Sequence, residues 1–443
     1  MYSDRNTTGF PVDVQISGMG VVSSIGHDLT TFTVSLAEGR SGIRQLDNRC
    51  STGMGATNII AGIADFNFSY ALEVCTSIPP TLKRAALRIA RRAPFAIQTC
   101  VLSALEAWTT ALLHDAHLLP ESIGLVMAGH NTTQNYQYQL HEAFQQAPYH
   151  LSPRYALQFM DSYLLGVLSE IFKIRGEGFV CGGASASGNV GIIHGLRMIQ
   201  AGIVDACLVC GVTADLSPME LQGFNAIGAL GGKHFHDRAD LACRPFDTQH
   251  EGFIYGQASA CLLLESTTSA KCRGTVGMAR LLSGAIRLHA SSSSEPNLEG
   301  EVQTMRTALQ RSSLEPGNID YVNTHGSSSP LGDKIEMQAI EQVFGEHFPN
   351  IWLNSSKGLI GHCLYSAGVV EVIASVVQMR QGFIHPSLNL DTPINNRAKF
   401  SGPIAVRHPI HTAMSNSFGF GGINTSVVLG SIPQPKNSPK QDR

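Results

Sequence analysis

The side chains that could do chemistry fall in three short stretches. Gly178-Phe179-Val180-Cys181-Gly182-Gly183-Ala184-Ser185-Ala186-Ser187-Gly188 reads as a strand, a tight turn and a glycine-rich helix. That layout puts Ser185 at a helix N-terminus, where backbone N–H groups and the helix dipole favour developing negative charge. Val322-Asn323-Thr324-His325-Gly326 and Lys357-Gly358-Leu359-Ile360-Gly361-His362 each add a histidine. A serine hydroxyl stays protonated at neutral pH and attacks only with an adjacent base. Taken alone, a serine in a turn of small residues is more often a helix cap.

The elements that must position these residues show a faint repeat. Pro120-x-x-Ile123-x-x-Val126 is followed four residues later by His130, and Pro316-x-x-Ile319-x-x-Val322 three residues later by His325. Helix-like stretches precede them, at 101–118 and 301–314. Each half then offers a strand, a turn and a Gly/Ala-rich helix (188–201 and 366–380) and ends in an apolar strand (258–265 and 423–430). Strands alternating with helical patterns predict an α/β layered fold with helices on both sheet faces. The division expected is an N-terminal half at 12–265, a C-terminal half at 266–430 and a disordered tail at 431–443. Regions 48–94 and 131–176, the latter with an aromatic stretch at 136–155, read as insertions.

Composition excludes several classes. Of 443 residues, 43% are hydrophobic and 15% charged, so the chain buries much of itself. A formal charge of −3 with no basic stripe argues against nucleic acid. No apolar run is long enough to span a bilayer and no signal pattern leads the chain, so the cytoplasm is expected. The ten cysteines lie mostly in apolar runs such as Cys207-Leu208-Val209-Cys210. They read as reduced core residues, and no metal-ligand set or phosphate-binding glycine motif stands out.

Together the three stretches resemble the β-ketoacyl synthases, condensing enzymes of the thiolase superfamily, whose nucleophile is a cysteine backed by two histidines. Ala184-Ser185-Ala186-Ser187-Gly188 matches that family's Ala-Cys-Ala-Ser-Gly everywhere except the reactive position. His325 opens His-Gly-Ser-Ser-Ser-Pro-Leu-Gly-Asp-x-x-Glu, which keeps Asp333 and Glu336 at the family's spacing. Lys357-(x)4-His362 is followed, as in the family, by Ala367-Gly368. Arg244-Pro245-Phe246-Asp247 with Glu251-Gly252-Phe253 resembles the loop that shapes the pocket near the nucleophile. Asn416-Ser417-Phe418-Gly419-Phe420-Gly421-Gly422 resembles the glycine-rich gate loop, with Phe420 as the gating aromatic.

The resemblance implies a duplicated α-β-α-β-α five-layer fold with cap insertions and a catalytic set of Ser185, His325 and His362. Lys357, Glu336 and Asp333 support that set, with Glu336 expected to pair with Lys357. Phe246, Phe253, Phe418, Phe420 and Gly421 shape the pocket and gate. It also implies a homodimer, an acyl carrier protein as partner, and a substrate held on that carrier's phosphopantetheine arm with no cofactor of the enzyme's own. A basic run of Lys83-Arg84, Arg88 and Arg91-Arg92 reads equally as a docking face for an acidic carrier and as a solvated helix face.

A cysteine thiol titrates near about 8.5 and lower at a helix N-terminus, whereas a hydroxyl does not ionise there. The acyl-transfer half of a condensing reaction should therefore fail, while decarboxylation of malonyl thioester should survive with both histidines. The chain resembles in this the Cys→Ser decarboxylating ketosynthases of polyketide β-branching, which supply acetyl-carrier protein to a 3-hydroxy-3-methylglutaryl-synthase-like enzyme. The alternatives are a serine-dependent acyltransferase, a slow condensing enzyme and a non-catalytic partner subunit.

Overall fold

The computed structural model describes residues 12–46, 58–235 and 237–433. Part of the 48–94 insertion and the tail from 434 onward lie outside the described residues. Short runs of Val, Ile, Leu, Ala and Cys build ten principal strands: β1 (Val14–Ser23), β2 (Ile123–Ala128), β3 (Gly178–Cys181), β4 (Ala206–Gly211), β5 (Ala258–Ser266), β6 (Ala279–Leu288), β7 (Tyr321–Asn323), β8 (Trp352–Asn354), β9 (Thr412–Gly419) and β10 (Ile423–Ser431). Every residue of β1, β2, β4 and β5 is buried, as expected of strands covered on both faces.

The strand order repeats. One half runs β3-β2-β4-β5-β1 and the other β8-β7-β9-β10-β6, with a short strand at Lys399–Phe400 beyond β8. In each, the first three strands are parallel and the last two antiparallel. Pairing of Val14, Gln15 and Ile16 with Leu281, Arg280 and Ala279 joins the halves into one eleven-stranded sheet.

Six helices cover the strands: α1 (Phe95–Thr110), α2 (Ser162–Phe172), α3 (Ser187–Gln200), α4 (Leu298–Ser312), α5 (Pro330–Phe344) and α6 (Ala367–Gln381). α6 is buried from Ala367 to Met379, and α3 is nearly so. Helices apolar all round belong inside. These two form the middle layer, sharing a core with inward residues of β1, β5 and β10. α1 and α2 cover the outer face of the first half, α4 and α5 that of the second. This is the layered thiolase-like fold that the resemblance implies.

Several boundaries differ from the sequence reading. The first strand, which the sequence predicts at 12–16, starts at Val14 and runs to Ser23. The helix expected at 101–118 covers Phe95–Thr110 and stops where Leu112 turns left-handed at φ 56°. The irregular insertions carry helices of their own at Phe68–Val74, Pro80–Ala90 and Gln134–Gln146.

The middle layer brings the two halves' loops together. A Cβ on Gly188 would lie 2.9 Å from the Gly368 nitrogen, and one on Gly368 2.6 Å from the Asn189 nitrogen. α3 and α6 therefore touch backbone to backbone near their N-termini, a contact only glycine permits.

Candidate active site

Ser185 sits in the tight turn Ala184–Ala186 between β3 and α3, half-buried. Ala184 holds a left-handed φ of 48°, a strain that persists only where surrounding packing enforces it. That packing includes Gly419 at the end of β9, where a Cβ would stand 2.4 Å from the Gly183 carbonyl oxygen.

His362 follows β8 and the one-turn helix Lys357–Ile360, and its Nε2 lies 2.9 Å from the Ser185 Oγ. Its Nδ1 accepts the Leu364 backbone N–H at 3.3 Å. An imidazole nitrogen that accepts carries no proton, so the neutral ring holds its proton on Nε2 and donates toward Ser185. Burial, then the Lys357 charge, pushes the His362 pKa well below 6.5. His362 is thus a neutral donor at neutral pH, and in this tautomer it cannot take the serine's proton.

His325 follows β7, its ring centroid 5.4 Å from that of His362. Its pKa is likewise pushed well below 6.5, by burial first and then by Lys357 and His362. Glu336 on α5 fixes the backbone here: its two oxygens accept the N–H groups of His325 and Gly326, each at 2.7 Å. The Lys357 ammonium donates to the His325 carbonyl at 2.5 Å.

Lys357 does not pair with Glu336, contrary to the sequence expectation. Its ion-pair partner is Glu371 on α6, which also accepts from the Ser417 hydroxyl at 3.1 Å. Glu336 is committed to the two backbone donors, and burial lifts its pKa to about 7. Sequence reading missed Glu371, although a signal was there: it is the one charged residue in the apolar run 367–379, and a buried carboxylate needs a partner. Asp333 accepts the Phe246 N–H at 2.8 Å and faces His250 Nδ1 at 3.0 Å, tying the 244–252 loop to the base of the site.

The aromatics divide. The Phe253 ring meets His362 edge-on at 5.2 Å, and Phe418 lies 5.7 Å from His325. Phe224 bridges from Phe253 to the exposed Phe420, a path of contacting rings from the surface to His362. Gly421, at φ 81°, gives the loop after Phe420 a turn that other residues resist. Phe246 does not line this path. Its ring packs against Phe400 in the outer core and beneath Gly326, where a Cβ would come within 2.7 Å of it. Cys207 and Cys210 face opposite sides of β4, into different cores, so they form no chelating pair. Cys210 instead meets Cys100 and Cys261 in a buried thiol cluster.

The family model described as the β-ketoacyl synthase N-terminal domain matches residues 12–270, and that for the C-terminal domain matches residues 278–391. The chain belongs to the β-ketoacyl synthase family. It is 36% identical, over 95% of its length and 97% of the relative's, to the polyketide biosynthesis malonyl-ACP decarboxylase PksF of Bacillus subtilis. It is 28% identical, over 95% of its length and 98% of the relative's, to 3-oxoacyl-[acyl-carrier-protein] synthase 2 of Coxiella burnetii. A type II polyketide ketosynthase solved in complex with its acyl-carrier protein superposes with a TM-score of 0.80 at 24% identity, covering 96% of this chain and all of that one, a likeness of fold.

Proposed function

We propose that this β-ketoacyl synthase decarboxylates malonyl-acyl carrier protein to acetyl-acyl carrier protein in polyketide β-branching. The carrying observation is the His362 Nε2 lying 2.9 Å from a hydroxyl where the family keeps a thiol, with its Nδ1 taken by the Leu364 N–H. The overall likeness to a relative named malonyl-ACP decarboxylase supports the same reading.

The malonyl thioester enters past Phe420 and Phe224 on the carrier's phosphopantetheine arm. Its carbonyl oxygen accepts from the neutral His362, with His325 beside it. As the bond to the carboxylate breaks, the electron pair flows into an enolate whose oxygen these donors stabilise. Carbon dioxide leaves, the enolate carbon takes a proton from solvent, and acetyl thioester departs. No step needs a covalent adduct on Ser185, which serves as a hydrogen-bonding spacer. No cofactor of the enzyme's own enters the reaction.

Partners and location belong to the same proposal. An acidic carrier would dock at Arg88, Arg91 and Arg92, which with Arg154 line a depression of about 370 Å³ beside the Pro80–Ala90 helix. A homodimer would form through β3, the terminal strand of the sheet and only partly buried. A 3-hydroxy-3-methylglutaryl-synthase-like enzyme would share the carrier. A cytoplasmic place is part of the same proposal; among the described residues no helix is long and apolar enough to cross a membrane.

The test is intact-mass spectrometry of malonyl-loaded carrier protein with and without the enzyme. Loss of carbon dioxide from the carrier, with no mass added to the enzyme, is the expected result; an untouched carrier refutes it. A second reading, a serine acyltransferase or condensing enzyme, needs the other His362 tautomer, whose Nε2 would accept from Ser185 across the same 2.9 Å; an acyl mass on the enzyme would select it.

A further inference from the structure

The repeat that places His325 after β7 places His130 after β2, in the corresponding position of the first half, and the proposed reaction gives His130 no role. Its ring packs against Tyr365 with centroids 4.5 Å apart. The loop that carries it is tethered: Asp161 accepts the backbone N–H groups of Asn131 at 2.7 Å and Thr132 at 3.0 Å, and the Thr132 hydroxyl at 3.0 Å. His130 lies against the turn that presents Ser185, since a Cβ on Gly182 would come within 2.8 Å of its Nδ1.

Tyr365 reaches the same place from the second half. It follows His362 by three residues, in the turn Leu364–Ser366, which packs on the Ala184–Ala186 turn. Leu364, just before it, is held left-handed at φ 50°, as Ala184 is just before Ser185. Burial lowers the pKa of His130 and pushes that of Tyr365 up to about 12, so both rings are neutral at neutral pH. Two neutral, half-buried rings on tethered loops present bulk rather than charge. The Ser185 turn is therefore flanked by the His130–Tyr365 pair, with Tyr365 also packed on the apolar cluster that holds Phe253 and Phe224.

We infer that His130 and Tyr365 are specificity-determining residues that close the space beside the Ser185 turn, admitting thioesters of two- or three-carbon acyl groups and refusing long chains. The choice of malonyl as substrate rests on the proposed decarboxylation; the closure does not, and it is measurable without turnover. The readout is alkylation of the thiol in a Ser185→Cys variant, followed by intact mass, with iodoacetamide and with its N-octyl analogue.

The expected result is that the octyl reagent labels Ser185→Cys roughly tenfold or more slowly than iodoacetamide, a size discrimination within reach of a packed apolar wall. Adding His130→Ala and Tyr365→Ala should bring the two rates together. Adding Tyr365→Phe instead, which keeps the ring, should leave them apart. Thermal melting checks that each variant folds, and Tyr365→Ala alone replaces the combination if the latter does not. Equal labelling of Ser185→Cys by both reagents overturns the inference. So does no labelling by either, or a gap that survives removal of both rings. Failure of malonyl turnover with the octyl discrimination intact would sink the proposed reaction and leave the closure standing.

Discussion

The two halves of this molecule share strand order and strand direction, yet their corresponding loops carry opposite equipment. After β7 and β8 come His325 and His362, held by the fully buried Glu336, Lys357 and Glu371. After β2 and β3 come His130 and Ser185, set among small residues and rings, with Asp161 serving only to anchor a loop. One half supplies fixed charge and hydrogen-bond donors, and the other supplies shape. Duplication thus allowed division of labour without any change of backbone plan, and the reacting group needs only to sit where the two meet.

The contrast can be broken most forcefully at the buried ion pair. Glu371→Leu leaves the Lys357 ammonium unpaired and should lower the unfolding free energy by about 3–5 kcal/mol in urea melts. Asp161→Ala in the first half should cost less, about 1–3 kcal/mol for its lost hydrogen bonds. Equal costs would mean that the electrostatics are not concentrated in the second half.

Next come the donors. His325→Ala and His362→Ala should each slow malonyl-carrier turnover by roughly 100-fold to 1000-fold, as removal of an oxyanion donor does. Near-parental rates from both would end the proposed mechanism.

A smaller effect should appear in pH-dependent stability. Glu336 has a raised pKa of about 7 in the folded chain against 4.5 ordinarily, so the folded state binds the extra proton in that window. Its stabilising share is full below about pH 4.5 and is lost as pH rises through 7, by at most about 1.4 kcal/mol per pH unit. The stability of the parent relative to Glu336→Gln should therefore fall between pH 5 and 7 in thermal melts. Parallel curves would refute the shift.

The smallest change is expected at the Ser185 hydroxyl. Ser185→Ala removes one hydrogen bond and should keep turnover within about tenfold of the parent. A collapse of activity would give the first half a chemical role and erase the division.

Much of this was legible in sequence because the motifs are local. The Ala-Ser-Ala-Ser-Gly turn, the His325 stretch and the Lys357–His362 spacing each name their own residues, and the repeat of Pro120 and Pro316 marks two equivalent strands. What escaped was long-range pairing. Glu336 was the partner expected for Lys357, and only the packing of α6 against the site supplies Glu371 instead. Phe246 sat in a pocket-like motif, but with its N–H held by Asp333 its ring packs on Phe400 in the outer core. His130 was visible as a repeat and unreadable as a role, because its ring partner comes from the other half of the chain.

The glycine contact between α3 and α6 has a mechanical consequence. With no Cβ at that contact the two helices meet backbone to backbone, so a slide or tilt of either carries its own loop along, and the gap between hydroxyl and imidazole behaves as a machined clearance. Outer helices can loosen while that clearance holds. Heat should then leave activity nearly intact until the middle layer parts, and catalysis and fold should fail together.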